Sequence, residues 1–126
     1  MKKRRAFTLI ETLMALAILG IALASSIALM AQYQVLDRRV SGQLEAQRCL
    51  EAQVEALRGG LHVPRTEGEY ELPVQREAQE PVTRQRYRAL VEADDTPGLY
   101  FVELIASYEI LGRAYERRVE LYLWRP

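Results

Sequence analysis

The apolar and charged positions follow a helical arrangement over the first half of the chain. From Thr12 to Leu36 no residue is charged, a run of 25 residues, and about 20 suffice for a helix to span a bilayer core. Beyond it, charged residues surround an apolar stripe at helical spacing until Gly59-Gly60, a typical helix stop. One helix is therefore expected to continue to about Leu57 or Arg58. Its predicted stripe consists of Leu36, Val40, Leu44, Leu50, Val54 and Leu57.

After the two glycines the hydrophobic period changes to two, which is typical of strands with one buried side. The alternating segments lie at about 70–74, 86–92, 99–109 and 113–123. The segment 99–109 is apolar on both sides and is expected to be central, while 94–98 and 111–113 carry turn residues. The stretch 76–84 contains Pro81 and is predicted to be a mobile loop. The chain is thus expected to be α+β, with a long N-terminal helix packed on a small antiparallel sheet of about four strands.

Four basic residues, Lys2, Lys3, Arg4 and Arg5, precede the uncharged run. Cations directly before an apolar run hold that end in the cytoplasm, so the C-terminal part is expected outside the inner membrane. The run is either a retained membrane helix or a secretory signal cleaved near 22–24, which would release a soluble periplasmic binding module. The retained helix is favoured because the apolar stretch continues past Ala24 and the helical pattern then has no Pro or Gly until Gly42.

A single carboxylate, that of Glu11, stands at the head of the uncharged run. A charge at the edge of a membrane is costly unless it is paired, so such a residue is a candidate functional site. The alternative is that Glu11 only reaches the interface with its carboxylate and has no further role.

The segment from Arg5 to Gly20, RAFTLIETLMALAILG, resembles the class III signal of type IV prepilins and type II secretion pseudopilins. The resemblance covers about the first quarter of the chain and implies a pilin-like fold. It implies cleavage between Ala6 and Phe7 by a prepilin peptidase, which then methylates the new amino group of Phe7. One departure is Ala6, where the family usually has Gly. The implied division is a leader at 1–6, a helix at 7–58, membrane-spanning at about 12–36 and amphipathic at 37–58, and a β-rich periplasmic domain at 59–126.

The resemblance also implies a role for Glu11, which would neutralise the Phe7 amine of a neighbouring subunit in a filament. Gly20 matches the major subunits of the family, but Ala28 stands where they have Pro. That difference and the short chain point to a minor subunit, most similar to the small I-type minor pseudopilin at the tip of the pseudopilus. The implied partners are the other minor and major pseudopilins, the prepilin peptidase and the inner membrane. A minor type IV pilin, serving pilus assembly, motility, adhesion or DNA uptake, is the alternative.

Composition limits the partners, metal sites and activities that the chain can have. The chain has 17 basic and 17 acidic side chains, and without a basic excess no nucleic-acid partner is expected. One cysteine and one histidine exclude an internal disulfide and a two-histidine metal site. Cys49 is expected to be a small packed residue, His62 a solvated loop residue, and Asp94-Asp95 a turn rather than a calcium site. No catalytic motif is present, so no enzymatic activity, cofactor or metal is expected.

Overall fold

A computed structural model describes residues 8–60 and 66–125 of the chain. Its one helix, α1, runs over Leu9–Arg58. The chain divides into two compact units, 1–37 and 38–126. The second, which contains the sheet, is called the outer unit. Gly59 donates its N–H to Glu55 O at 2.8 Å, and Gly60 donates to Leu57 O with a φ of 80°. A glycine in this left-handed conformation is a common helix end because it satisfies the last carbonyls without steric strain.

Four antiparallel strands follow the helix in a meander. They are β1 (Gly68–Leu72), β2 (Val82–Ala93), β3 (Leu99–Ile110) and β4 (Arg113–Trp124), and their order in the sheet is β1-β2-β3-β4. The predicted α+β class and the four-stranded antiparallel sheet are therefore confirmed. Strand β3, the segment apolar on both sides, pairs with a neighbour along each edge.

The core lies between the second half of α1 and one side of the sheet. Alternate residues of the strands point to the helix, as the period of two predicts. The buried cluster contains Leu50, Leu57, Leu72, Tyr87, Ala89, Val91, Val102, Leu104, Ala106, Leu121 and Leu123. On the other side of the sheet Ile105 is also buried. Its cross-strand neighbours are Arg88 and Arg118, whose aliphatic stems can cover apolar surface.

The predicted apolar stripe of the helix is only partly correct. Leu50 and Leu57 are buried, but Leu36, Val40 and Leu44 are each about half exposed. The residues that α1 buries are Gly42, Glu45, Ala46, Cys49, Leu50, Gln53 and Leu57. This face is rich in small and polar side chains, because the backbone approaches the sheet closely there.

Gly42 shows how close that approach is. A Cβ atom on this residue would lie 2.8 Å from Ile110 Cγ2 and 3.1 Å from Pro81 Cγ. Helix α1 continues through this position, so the glycine serves packing rather than a break in the helix. Hydropathy alone assigns large apolar residues to the core. Here the close contact between helix and sheet leaves room only for small ones.

The loop predicted at 76–84 is shorter than expected, because β2 begins at Val82. An irregularity in the β2–β3 register lies between Thr83 and Arg86. The side chain of Gln85, near the start of β2, reaches back to the segment before the strand: it accepts the Ala78 N–H at 2.9 Å and donates to Arg76 O at 3.1 Å. A polar side chain at the start of the strand thus fixes the connection that Pro81 led us to expect to be mobile.

Buried and exposed apolar residues of α1 are expected to differ in the effect of truncation on stability. Leu50 is 7% exposed and Leu44 is 55% exposed. We expect Leu50→Ala to lower the free energy of unfolding by about 2–4 kcal/mol, because it removes buried methyl groups and leaves a cavity. Leu44→Ala is the matched control and should change it by less than about 0.5 kcal/mol. Urea unfolding of the full chain in detergent, followed by the fluorescence of Trp124, measures both; equal losses would contradict the observed burial.

Candidate functional site

Glu11 forms a capping box with Thr8 at the start of α1. Its Oε2 accepts the Thr8 backbone N–H at 3.0 Å and the Thr8 hydroxyl at 3.2 Å. In return the Glu11 N–H donates to Thr8 Oγ1 at 3.3 Å. Reciprocal bonds of this kind satisfy N–H groups that have no partner within the helix. The negative charge of the carboxylate also interacts favourably with the positive N-terminal end of the helix dipole.

Thr8 is a site residue that the sequence interpretation missed. The signal was present, since Thr8 and Glu11 have the spacing Ser/Thr-x-x-Glu of a capping box before an apolar run. The carboxylate therefore has a role within its own chain, beyond the two alternatives considered from sequence. Glu11 Oε1 accepts no hydrogen bond from the described residues.

The other predicted residues of the N-terminal site lie outside the described residues. They are Lys2, Lys3, Arg4 and Arg5 of the basic block and Ala6 and Phe7 of the cleavage site. Their predicted roles in topology, cleavage and N-methylation stay predictions. The described geometry begins at Thr8, which places Glu11 in the first turn of the helix.

Every residue of the uncharged run after Glu11 is exposed. Among the described residues, α1 is the one helix long and apolar enough to cross a membrane. Its few hydroxyl groups are satisfied internally: Ser25 donates to Ile21 O and Ser26 to Ala22 O, both at 2.8 Å. Such bonds remove the need for water at these side chains. The helix continues through 22–24, the position of the alternative signal-peptidase cut.

In the outer unit, a polar cluster surrounds the carboxylate of Glu45, which lies on the buried face of α1. Its Oε1 lies 3.4 Å from Arg76 Nη2 and accepts the Gln79 N–H at 3.5 Å. Its Oε2 lies 3.9 Å from Arg48 Nη1. A buried carboxylate needs such partners because an unpaired charge in the interior is strongly unfavourable. The cluster therefore holds the loop after β1 on the helix.

Gln53, about two helical turns after Glu45, holds the same loop. Its side chain is almost completely buried, donates to Pro73 O at 3.1 Å and accepts the Gln75 N–H at 3.2 Å. The nitrogen and the oxygen of the Gln53 amide thus both form hydrogen bonds with the backbone of the loop. Neither Gln53 nor Glu45 could be placed in the interface from hydropathy, because polar residues are assigned to the exposed face by default.

Cys49 is packed between these groups and is 1% exposed. Burial, and then the neighbouring carboxylate of Glu45, raise the pKa of its thiol. A raised pKa keeps the thiol protonated and unreactive. The expectation of a small packed residue agrees with this burial.

The remaining candidates carry no ligand-binding arrangement in the described part of the chain. Within 8–60 and 66–125 no group of three or more His, Cys, Asp or Glu residues is placed to hold a metal. Asp94 Oδ2 accepts the Thr96 N–H at 3.4 Å, and the Asp94 N–H donates to Leu99 O, as in a turn stabilised by aspartate. His62 lies outside the described residues.

The comparison with protein families found a match at the N-terminus. Residues 1–27 match the family described as "Prokaryotic N-terminal methylation motif". No curated protein and no solved structure matches the chain. The matched segment contains the capping box and about the first two thirds of the uncharged run. The motif supports a type IV pilin-like or pseudopilin protein.

The burial of Cys49 predicts a slow reaction with thiol reagents. In the native chain in detergent, we expect maleimide labelling of Cys49 to be more than about tenfold slower than in urea, because opening the helix–sheet contact must precede it. Because its pKa is raised, the rate should keep rising at pH values where a free thiol is already ionised. Gln47→Cys in a Cys49→Ala background, on the exposed side of α1, is the control for intrinsic reactivity. Equal rates at the two positions would rule out the buried thiol.

Proposed function

The chain carries a prepilin-type N-terminal motif on a pilin-like fold, and we propose that it is a minor pseudopilin of a type II secretion system. In this proposal it is a structural subunit without enzymatic activity, located at the tip of the pseudopilus. It supports protein export by starting filament assembly with the other minor pseudopilins. The observation that carries the proposal is the motif itself, with Glu11 at the head of an exposed apolar helix.

The capping box suits Glu11 to a role between subunits. Thr8 and Glu11 both follow the proposed cut, so processing leaves the cap in place. Oε2 belongs to the cap, and in this proposal Oε1 accepts the Phe7 ammonium group of a neighbour. Attraction between opposite charges is much stronger in low dielectric than in water, and an unpaired charge there is penalised. The pair would therefore select one axial stagger between subunits.

The continuity of α1 supports a minor subunit. Ala28 lies inside the helix, which runs without interruption from Leu9 to Arg58. A proline there would remove a backbone hydrogen bond and bend or break the helix. Major subunits of the resembled family have that proline, so the alanine favours the minor class.

The exposed apolar surface of α1 supports assembly with other subunits. Residues 9–36 are exposed and need lipid or other helices around them. Val40 and Leu44 follow the charged residues Asp37, Arg38 and Arg39, so they are expected beyond the bilayer core. Both are about half exposed, and their apolar surface is available to helices of neighbouring subunits.

The motif implies processing by a prepilin peptidase and assembly with other pilin-like subunits. We infer a single-pass location in the bacterial inner membrane, with the C-terminal domain in the periplasm and no nucleic-acid partner. Deletion of the chain in its host tests the system it serves: loss of protein export with pili retained supports the secretion role. Loss of pili with export retained would assign it to a type IV pilus.

Processing predicts a defined mature N-terminus. Intact-mass analysis of the membrane fraction should show a chain that begins at Phe7 with one added methyl group, because the motif directs both steps. Ala6→Glu is the control, since a large charged residue before the cut should leave the precursor intact. A mature chain beginning near Ser25 would instead show cleavage by an ordinary signal peptidase.

The charge of Glu11 is expected to act in assembly and not in folding. Glu11→Gln keeps an oxygen that can accept the Thr8 N–H, since glutamine also occupies this position of a capping box. It removes the negative charge, so co-purification with the other minor subunits should fall, while insertion into the membrane is retained.

The matched control for Glu11→Gln is Thr8→Val, which removes the hydroxyl of the cap and leaves the Glu11 carboxylate. Export and crosslinking to neighbouring subunits are measured for both variants at native expression. We expect Glu11→Gln to be impaired and Thr8→Val to be close to the parent. The reverse order would assign Glu11 to helix capping alone.

A further inference from the structure

Strand β4 forms one edge of the sheet and is long for an edge strand. It has 12 residues, pairs with β3 along its whole length without a register shift, and has no described strand on its other side. Edge strands are commonly kept from pairing with other chains by shortness, a proline, a β-bulge or charged side chains. Of these features β4 has only the charged side chains, so they decide which strand it can accept.

The hydrogen bonds at the end of β4 show which backbone groups face its open edge. The Arg125 N–H donates at 2.6 Å to the oxygen of Gly98, the residue before β3. In an antiparallel pair the N–H and C=O of one residue point to the same side, and successive residues alternate. Since the β3–β4 pairing is continuous, the odd-numbered residues of β4 bond to β3. The even-numbered residues, from Ala114 to Trp124, therefore present their N–H and C=O groups to the open edge.

An open groove lies between α1 and β4, on the side of the sheet that packs against the helix. Its volume is about 370 Å³, and Leu50, Val54 and Val119 supply its apolar lining. In a strand, every second side chain points to the same side of the sheet. A strand added to β4 would therefore place alternate side chains beside this groove, where apolar side chains are favoured because they leave water.

The opposite side of the sheet is acidic along β4. Glu103 and Glu120 are direct cross-strand partners, and like charges in such a pair are destabilising. Arg118 lies 3.4 Å from Glu103 and 3.0 Å from Glu116, whereas Glu120 forms no ion pair among the described residues. Three carboxylates thus surround one cation. A basic side chain on an added strand would balance them.

An exposed aromatic ring on the same side suits the same charge. Tyr122 follows Glu120 by two residues and is 65% exposed, and its ring centroid lies 5.4 Å from that of Phe101. A cation over an aromatic ring is stabilised by about 0.5–1 kcal/mol at an exposed site, and the cation is more often arginine than lysine.

The edge strands of a second copy do not match this charge pattern. On the side of the sheet away from α1, β4 carries Glu116 and Glu120 with Arg118 between them, and β1 carries Glu69 and Glu71. Either strand would add net negative charge to a side that is already acidic. The charge pattern therefore favours a different protein as the partner.

We propose that the open edge of β4 binds an extended segment of another protein by strand addition. Apolar side chains of the segment lie in the groove beside Val119, and its basic side chains lie beside Glu120 and Tyr122 on the other side. Backbone hydrogen bonds to the even-numbered residues of β4 hold the segment, and its alternation of apolar and basic side chains gives specificity.

A synthetic peptide of alternating arginine and valine, blocked at both ends and labelled with a fluorophore, is the probe for this edge. Its fluorescence anisotropy is measured with the full chain in a non-ionic detergent. The control peptide has the same composition, with its arginines and valines in separate blocks. We expect the alternating peptide to bind about tenfold more tightly, because only its side chains all point to the side of the sheet that suits them.

Two pairs of variants test the charge and the backbone separately. Glu120→Arg should weaken binding of the alternating peptide about fivefold or more, because attraction becomes repulsion. Glu71→Arg is the matched control on the same side of the sheet at its other edge. It should change the affinity by less than about twofold, because three strand spacings of about 4.8 Å separate the two edges. Glu116→Pro removes an N–H from the open edge and no bond to β3, so it should bind about fivefold more weakly than Glu116→Ala.

Circular dichroism checks that each variant is folded. Glu120→Arg changes an exposed side chain and tests the proposal even if Glu116→Pro does not fold. Equal affinity of the two peptides, or equal losses at positions 120 and 71, shows attraction between net charges alone and overturns the proposal. Equal affinity of Glu116→Pro and Glu116→Ala overturns strand addition. Dimers of the chain that Glu116→Pro dissociates would assign the edge to a second copy and overturn a separate partner.

Discussion

A 50-residue helix carries more apolar surface than a four-stranded sheet of this size can cover. The described residues before Gly42 are almost all exposed, and from Gly42 onward the buried residues recur at helical spacing. Since exposed apolar surface is unfavourable in water, the first half requires a different environment. This constraint makes the protein depend on lipid or on other subunits, and it separates the chain into an outer unit with its own core and a segment without one.

The core of the outer unit depends on the close approach of helix and sheet. Gly42, Ala46 and Cys49 present little volume, so Ile110 and the neighbouring strand residues can pack directly against the helix. Polar residues in this interface are satisfied individually: Glu45 by arginine and backbone groups, and Gln53 by two backbone groups of the loop after β1. Such networks contribute to specificity because a shift of the helix would leave several buried groups without partners.

At the start of the helix, hydrogen bonds within the chain also hold a polar side chain in place. The Glu11 carboxylate caps the first turn through one of its oxygens, Oε2. A group that is already oriented by its own chain loses less conformational freedom when it binds a partner. The cap therefore supports the proposed pairing between subunits and does not compete with it.

Local sequence alone determined the elements and their kinds. An uncharged run of 25 residues specifies a membrane-length helix, two glycines specify its end, and a period of two specifies strands, because each depends on backbone geometry and on neighbours close in the chain. The capping box of Thr8 and Glu11 was present in the same local pattern. Only the tertiary structure decided which face of α1 is buried, how Glu45 and Gln53 hold the loop before β2, and where the groove beside β4 lies. These features depend on the distance between helix and sheet, which is set by residues far apart in sequence. A short distance requires small side chains at positions where hydropathy alone would favour large ones.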